Sequence, residues 1–153
     1  MRASRIAFIT FSILLGCSEQ DPTLKGVDDY KAEALAAVVS HDVRNAIELV
    51  DDDSVIFVDV REGEEIVKNG IIKGAVHVPR GFLEFYIDPK SSKHMDTFSS
   101  GKKIIFYCAT GGRSLLAAKL AKDMGVPDPV YLEGGFKAWL EAGGAIIPST
   151  VAE

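Results

Sequence analysis

Cysteine and histidine are scarce in this chain of 153 residues, which has two of the first and three of the second. With Cys17 and Cys108 as its only cysteines, a scaffold held together by several disulfides is excluded. His41 and His94 are isolated in the sequence and show no spacing typical of metal ligands. We therefore expect neither a metal site nor any other cofactor.

Basic residues are also fewer than acidic ones, 17 against 22, which gives a net charge of −5. A nucleic-acid-binding protein usually presents a basic face, so no nucleic-acid partner is expected. The chain lacks internal repeats and low-complexity tracts, and 47% of its residues are hydrophobic. Its length and composition suit one globular domain.

Long apolar runs are missing as well. The longest, residues 6–15, is well short of the roughly 20 residues that a membrane-spanning helix needs. Two arginines precede this run and small polar residues follow it, which is the pattern of a signal peptide. We predict a signal peptide at 1–16, a polar tether at 17–29 and a folded domain at 30–150.

The end of the apolar run, Leu14-Leu15-Gly16-Cys17, resembles the lipobox of bacterial lipoproteins. That resemblance implies cleavage before Cys17 and acylation of its sulfur. The domain would then lie outside the cytoplasm, in the cell envelope, on the periplasmic side of a bacterial membrane and held there by lipid. Ordinary secretory cleavage nearby and an uncleaved hydrophobic anchor are the alternatives.

Beyond residue 30, short apolar runs typical of strands alternate with segments of helical periodicity. This alternation predicts an α/β fold with a mainly parallel central sheet flanked by helices on both faces. In such sheets ligands bind at the carboxyl ends of the strands. The predicted strands are 38–39, 55–60, 75–78, 103–107, 130–132 and 145–147. The predicted helices are 30–37, 62–68, 81–87, 114–124 and 135–142, together with one that Ser40 or Asp42 caps and whose apolar face is Val43, Ile47 and Val50, and 88–102 is a predicted loop.

Cys108 lies where an apolar strand passes into a helix through a glycine-rich turn. Gly111 and Gly112 allow the backbone N–H groups to converge there, and the helix start adds unpaired donors. With Arg113 nearby, this setting favours a thiolate and predicts a nucleophilic cysteine. A small structural cysteine at the end of a core strand is the alternative interpretation.

Four motifs follow one another along the chain: Val58-Asp59-Val60-Arg61-Glu62, Gly74-Ala75-Val76-His77-Val78-Pro79, the loop 108–114, and the run from Tyr131 to Trp139. Together they resemble the single-domain rhodaneses, a family of sulfurtransferases, over about residues 40–148, and this resemblance implies a rhodanese-like fold. The stretch from Val78 to Phe85 further resembles the exported bacterial branch of that family.

This resemblance implies that Cys108 takes a sulfane sulfur from a donor such as thiosulfate and passes it to a thiol or cyanide. The loop around it would hold the persulfide. Asp59 and Arg61 would brace that loop, although an ion pair on the surface is the alternative for these two. The residues expected to bind the persulfide are Ala109, Thr110, Gly111, Gly112, Arg113 and Ser114.

Two features of the loop bear on its chemistry. Many active rhodanese loops carry a basic residue directly after the cysteine, whereas this chain has Ala109. Related phosphatases place five residues between cysteine and arginine, and the sulfurtransferase loop has four, as between Cys108 and Arg113 here. A sulfurtransferase is therefore preferred over a phosphatase, and a sulfur carrier or protein-interaction module without turnover is the alternative. The sequence does not name protein partners.

Overall fold

The structure is a computed structural model that describes residues 24–148. Within these residues lie seven short strands, most of them separated by helices. The strands are β1 (Ser40–His41), β2 (Val55–Asp59), β3 (Ile71–Ile72), β4 (Val76–His77), β5 (Lys103–Tyr107), β6 (Val130–Leu132) and β7 (Ile146–Ile147).

The described part of the chain also contains six α-helices and two 3₁₀ turns. The helices are α1 (Val27–Ala37), α2 (Val43–Ile47), α3 (Gly63–Asn69), α4 (Leu83–Ile87), α5 (Gly112–Asp123) and α6 (Gly135–Glu141), and the 3₁₀ turns are Arg80–Phe82 and Asp96–Ser99.

The central sheet has five strands in the order β1-β6-β5-β2-β4, and every pairing in it is parallel. Its middle strands, β2 and β5, pair along their whole lengths, from Val55 opposite Lys103 to Asp59 opposite Tyr107. Parallel pairing brings the carboxyl ends of all five strands to one edge. The predicted α/β class with a parallel central sheet is confirmed.

Alternate residues of the middle strands enter two separate cores, as the period of a strand requires. Phe57, Ile105 and Tyr107 face the core that α2, α3 and α6 cover. Val58, Ile104 and Phe106 face the other core, beneath α1, α4 and α5. A sheet covered on both faces explains why these strands are almost continuously apolar.

Several boundaries differ from the sequence prediction. Helix α1 begins at Val27, inside the segment predicted as tether. Of the two candidate caps for α2, it is Asp42 whose carboxylate accepts from the N–H groups of Arg44 and Asn45. Helix α5 begins at Gly112 rather than at residue 114.

The structure also contains a second, two-stranded sheet. Ile71 and Ile72 pair antiparallel with Ile147 and Ile146. The sequence predicts a strand at 145–147, which agrees with β7, but it indicates neither β3 nor the pairing, because the two segments lie far apart in the chain. Between residues 24 and 148, no helix combines the length and the apolar character that crossing a bilayer demands.

Candidate active site

Cys108 lies at the carboxyl end of β5, on the edge of the sheet where ligands bind in α/β folds. The residue is 1% exposed. The chain then turns sharply through Gly111, which has φ of 102° in the left-handed region and caps α5. Glycine adopts that conformation without steric cost, so it permits the tight turn from strand to helix.

Two donors approach the sulfur of Cys108. The N–H of Gly111 donates to Sγ at 3.2 Å, and the hydroxyl of Ser114 lies 3.6 Å from Sγ. The same hydroxyl lies 3.0 Å from the carbonyl oxygen of Gly111. Because a serine carries one hydroxyl proton, Ser114 donates to only one of these acceptors at a time.

The pKa of Cys108 lies below its ordinary value, as the balance of two opposing effects. Burial, the larger single effect, disfavours the thiolate and raises the pKa. The Ser114 hydroxyl and the N–H groups of Ser114, Thr110 and Gly111 together outweigh it, because they donate to the charged form. The turn therefore makes the thiol of Cys108 more acidic than an ordinary cysteine.

Arg113 directs its guanidinium to a carboxylate on another helix. Its two terminal nitrogens donate to Glu65 on α3, at 2.7 Å and 2.8 Å. The hydrogen bond from Arg113 is the main reason why the pKa of Glu65 is lowered, and the pKa of Arg113 is raised in turn. The pair joins the first turn of α5 to α3, and the role of Arg113 in binding or shaping the site stays a prediction.

The first turn of α6 binds the backbone of Cys108 and Ala109, at the start of the loop. The N–H of Phe136 donates to the carbonyl of Cys108 at 2.7 Å, and the N–H of Lys137 donates to that of Ala109 at 3.0 Å. Gly135 lies so close that a Cβ there would fall 2.4 Å from the Cys108 carbonyl oxygen and 2.8 Å from the Gly111 nitrogen. The backbone of the loop is therefore in direct contact with the backbone of Gly135, with no room for a side chain between them.

Asp59 and Arg61 form a buried ion pair, not one on the surface, with 0% and 1% of their side chains exposed. Arg61 also donates to the carbonyl of Gly70 at 2.8 Å, and its guanidinium lies 3.9 Å from the centre of the Phe136 ring. The N–H of Phe136 donates to the Cys108 carbonyl, so Arg61 contacts a residue that touches the loop, and the bracing role of the pair stays a prediction.

Of the other predicted site residues, Ala109 and Thr110 lie in the turn and Gly112 is the first residue of α5. All three are partly or fully exposed. Cys17, the predicted lipidation residue, lies outside the described residues. Among residues 24–148, no group of three or more His, Cys, Asp or Glu side chains is arranged to hold a metal ion.

Sequence reasoning did not single out Glu65 or Gly135 as parts of the site. Glu65 is the third residue of α3, where its carboxylate accepts from the N–H of Glu62, and this capping role is all that its local sequence indicates. The glycine pair at 134–135 suggests a tight backbone approach, but not which segment approaches.

Known proteins resemble this chain in sequence and structure. Its sequence is 31% identical over 100 residues to the thiosulfate sulfurtransferase GlpE of Shewanella oneidensis, covering 65% of this chain and 90% of that protein. It is 30% identical over 89 residues to the human thiosulfate:glutathione sulfurtransferase, covering 54% and 76%.

A solved structure from Rhodopseudomonas palustris, of a protein of unknown function described as a possible tyrosine phosphatase, matches with a TM-score of 0.79. It is 42% identical, and the match covers 84% of this chain and 98% of that one. The family model of the rhodanese-like domain matches residues 42–142, which is well over half of the chain. The protein therefore belongs to the rhodanese-like domain family.

Proposed function

We propose that this protein is a sulfurtransferase that carries sulfane sulfur as a persulfide on Cys108. The observation behind the proposal is the turn itself: a buried sulfur that accepts from Gly111 and Ser114 and has a lowered pKa. Relatives named as sulfurtransferases support the same chemistry.

The first half-reaction is a displacement at sulfur. The Cys108 thiolate attacks the outer sulfur of thiosulfate, the S–S bond of the donor breaks, and its electron pair leaves with sulfite. The product is a persulfide anion, and the N–H groups of residues 109–114 stabilise its charge. No proton needs to be supplied, because sulfite leaves as an anion.

The second half-reaction returns Cys108 to its starting state. A thiolate or cyanide attacks the outer sulfur of the persulfide, and the electron pair of the breaking S–S bond returns to the Cys108 sulfur. The acceptor leaves as a persulfide or as thiocyanate. Cys108 is the only free cysteine between residues 24 and 148, so we assign the acceptor role to a separate molecule.

Thiosulfate treatment followed by mass spectrometry of the intact protein tests this function. The wild-type chain should gain one sulfur and release sulfite, and cyanide should then remove that sulfur as thiocyanate. Cys108→Ser should gain none, whereas the matched control Cys17→Ser should load normally. Turnover by Cys108→Ser would refute the assignment.

Two other functions predict different results in the same experiment. A sulfur carrier without turnover would load sulfur once and release almost none to cyanide or thiols. A phosphatase, as suggested for the Rhodopseudomonas relative, would hydrolyse p-nitrophenyl phosphate and form no persulfide. The gap of four residues between Cys108 and Arg113 favours the persulfide, which needs a smaller cradle than phosphate.

We further propose that the protein is exported and anchored at a bacterial membrane by acylation of Cys17. The support is the sequence pattern of residues 1–17 alone. In a bacterial host, the full chain should incorporate labelled palmitate and sediment with membranes. Cys17→Ser should do neither, and an unchanged distribution would refute the anchor.

A further inference from the structure

The loop of this protein offers little free positive charge to an anionic donor. Arg113 is the only basic residue between 109 and 114, and Ala109 occupies the position after the cysteine. Both terminal nitrogens of Arg113 are bound to Glu65. Thiosulfate carries two negative charges, so a further cation beside the loop would strengthen its binding beyond what the backbone N–H groups provide.

Helix α1 brings such a cation to the start of α5. A Cβ placed on Gly112 would lie 3.8 Å from Cε of Lys31, the carbon that carries the ammonium group. Gly112 is the first residue of α5 and belongs to the loop around Cys108. The Lys31 ammonium is therefore close to the rim of the loop.

The position of Lys31 follows from the packing of α1. Ala34, one turn further along the helix, is fully buried in the core that α1 and α5 share. At the end of α1, Lys122 of α5 donates to the carbonyl of Ala37 at 2.6 Å. These contacts hold α1 along α5 and bring Lys31 towards Gly112.

Among residues 24–148, the ammonium group of Lys31 forms an ion pair with Asp28 on the same helix, at 3.3 Å. This pair is weak, because the Asp28 side chain is 91% exposed. Exposed pairs of this kind contribute little free energy, so an incoming dianion competes effectively for the lysine.

We propose that Lys31 binds the anionic end of the sulfur donor and thereby determines a preference for anionic sulfane-sulfur compounds. The proposal rests on the proposed function and adds a specificity residue to it. Helix α1 precedes the segment 42–142 that the family model matches. Helix α1 thus supplies a cation, Lys31, from outside that segment, while the loop's own cation, Arg113, is paired with Glu65.

The test compares two alkylating reagents that differ mainly in charge, iodoacetate and iodoacetamide, by measuring their rates at Cys108 by peptide mass spectrometry. The ratio of the rates reports the electrostatic potential at the site, since a change in thiolate fraction affects both alike. Lys31→Glu is compared with Lys102→Glu, which makes the same charge change just before β5, at the opposite edge of the sheet.

At low ionic strength, Lys31→Glu should lower the iodoacetate-to-iodoacetamide ratio about five-fold or more, and added salt should restore much of it. Lys31→Arg should keep the wild-type ratio, and Lys102→Glu should stay within about two-fold of it. The rate of sulfur loading from thiosulfate should fall further in Lys31→Glu, because thiosulfate has two charges.

A ratio in Lys31→Glu equal to that in Lys102→Glu would overturn the proposal. The alkylation readout does not depend on sulfur transfer. If the ratio falls as expected but the wild-type chain forms no persulfide, Lys31 still binds anions at this site and the proposed function is what fails.

Discussion

Ser114 has one hydroxyl proton and two acceptors within reach, the sulfur of Cys108 and the carbonyl of Gly111. The Gly111 carbonyl also accepts from the N–H of Leu115 at 2.9 Å, so it keeps a partner when the hydroxyl turns to the sulfur. A thiolate is the stronger acceptor. The hydroxyl can therefore follow the charge state of Cys108 without leaving a buried group unpaired.

Replacing Ser114 by alanine should move the pH dependence of Cys108 to higher pH. The hydroxyl lowers the pKa of the thiol, so its loss raises that pKa and reduces the thiolate fraction on the acid side. At about pH 6 we expect iodoacetamide to react roughly three- to ten-fold more slowly, with little change in the alkaline limit. Rates measured across the pH range would show the shift.

Thr110→Val is the matched control, because it removes an exposed hydroxyl from the same loop and keeps the backbone N–H groups. Its pH profile should follow the wild type. If Ser114→Ala and the wild type react with iodoacetamide at the same rates at low pH, the backbone donors alone lower the pKa of Cys108.

At the scale of elements, the site is a junction of α5, α6 and β5. The backbone of Gly135 is in contact with the loop, at a φ of 61°. Any side chain there must displace the Cys108 carbonyl and the Gly111 and Thr110 nitrogens that lie within 3 Å of the Cβ position. Those are the same groups that form the turn around the sulfur.

Gly135→Ala should therefore cost both stability and activity. We expect the free energy of unfolding to fall by more than about 3 kcal/mol, because steric overlap adds to backbone strain, and sulfur loading to slow at least about ten-fold. Denaturation in urea and the rate of persulfide formation measure the two effects.

Gly143→Ala provides the control at the other end of α6. Gly143 has a φ of 78° but nothing within 4 Å of its Cβ position, so the substitution introduces backbone strain alone, about 1–2 kcal/mol. Equal costs at the two positions would show that contact with the loop does not matter.

At the scale of the whole molecule, the buried ion pair between Asp59 and Arg61 connects the central sheet to two of the helices that cover it. It lies at the end of β2, and it reaches the end of α3 through Gly70 and α6 through Phe136. A buried charge left without its partner is costly, since water cannot solvate it.

Asp59→Asn should lower the free energy of unfolding by about 3 kcal/mol or more, because Arg61 stays charged and buried. Asp123→Asn, which breaks the exposed pair with Lys119, should cost less than about 1 kcal/mol. Urea denaturation of both variants gives the comparison. A similar loss in the two would contradict the role assigned to the buried pair.

The elements that the sequence predicted well are those whose pattern is local. Strand 103–107 has the predicted bounds, and so does 130–132, because a short apolar run marks each of them locally. The helix predicted at 114 begins at Gly112, since Gly111 caps it in a conformation that a hydrophobicity pattern does not report. In the loop predicted at 88–102, the turn Asp96–Ser99 buries Phe98, a contact made with the distant core.

By itself, the sequence determined the alternation of strands and helices, the position of Cys108 at a strand end, and a loop rich in backbone donors. These depend on residues that are neighbours in the chain. Only the tertiary structure decided that Arg113 pairs with Glu65, that Gly135 supports the loop, and that Lys31 reaches Gly112. Such pairings join residues far apart in sequence, and the packing of helices on the sheet, rather than any local pattern, brings them together.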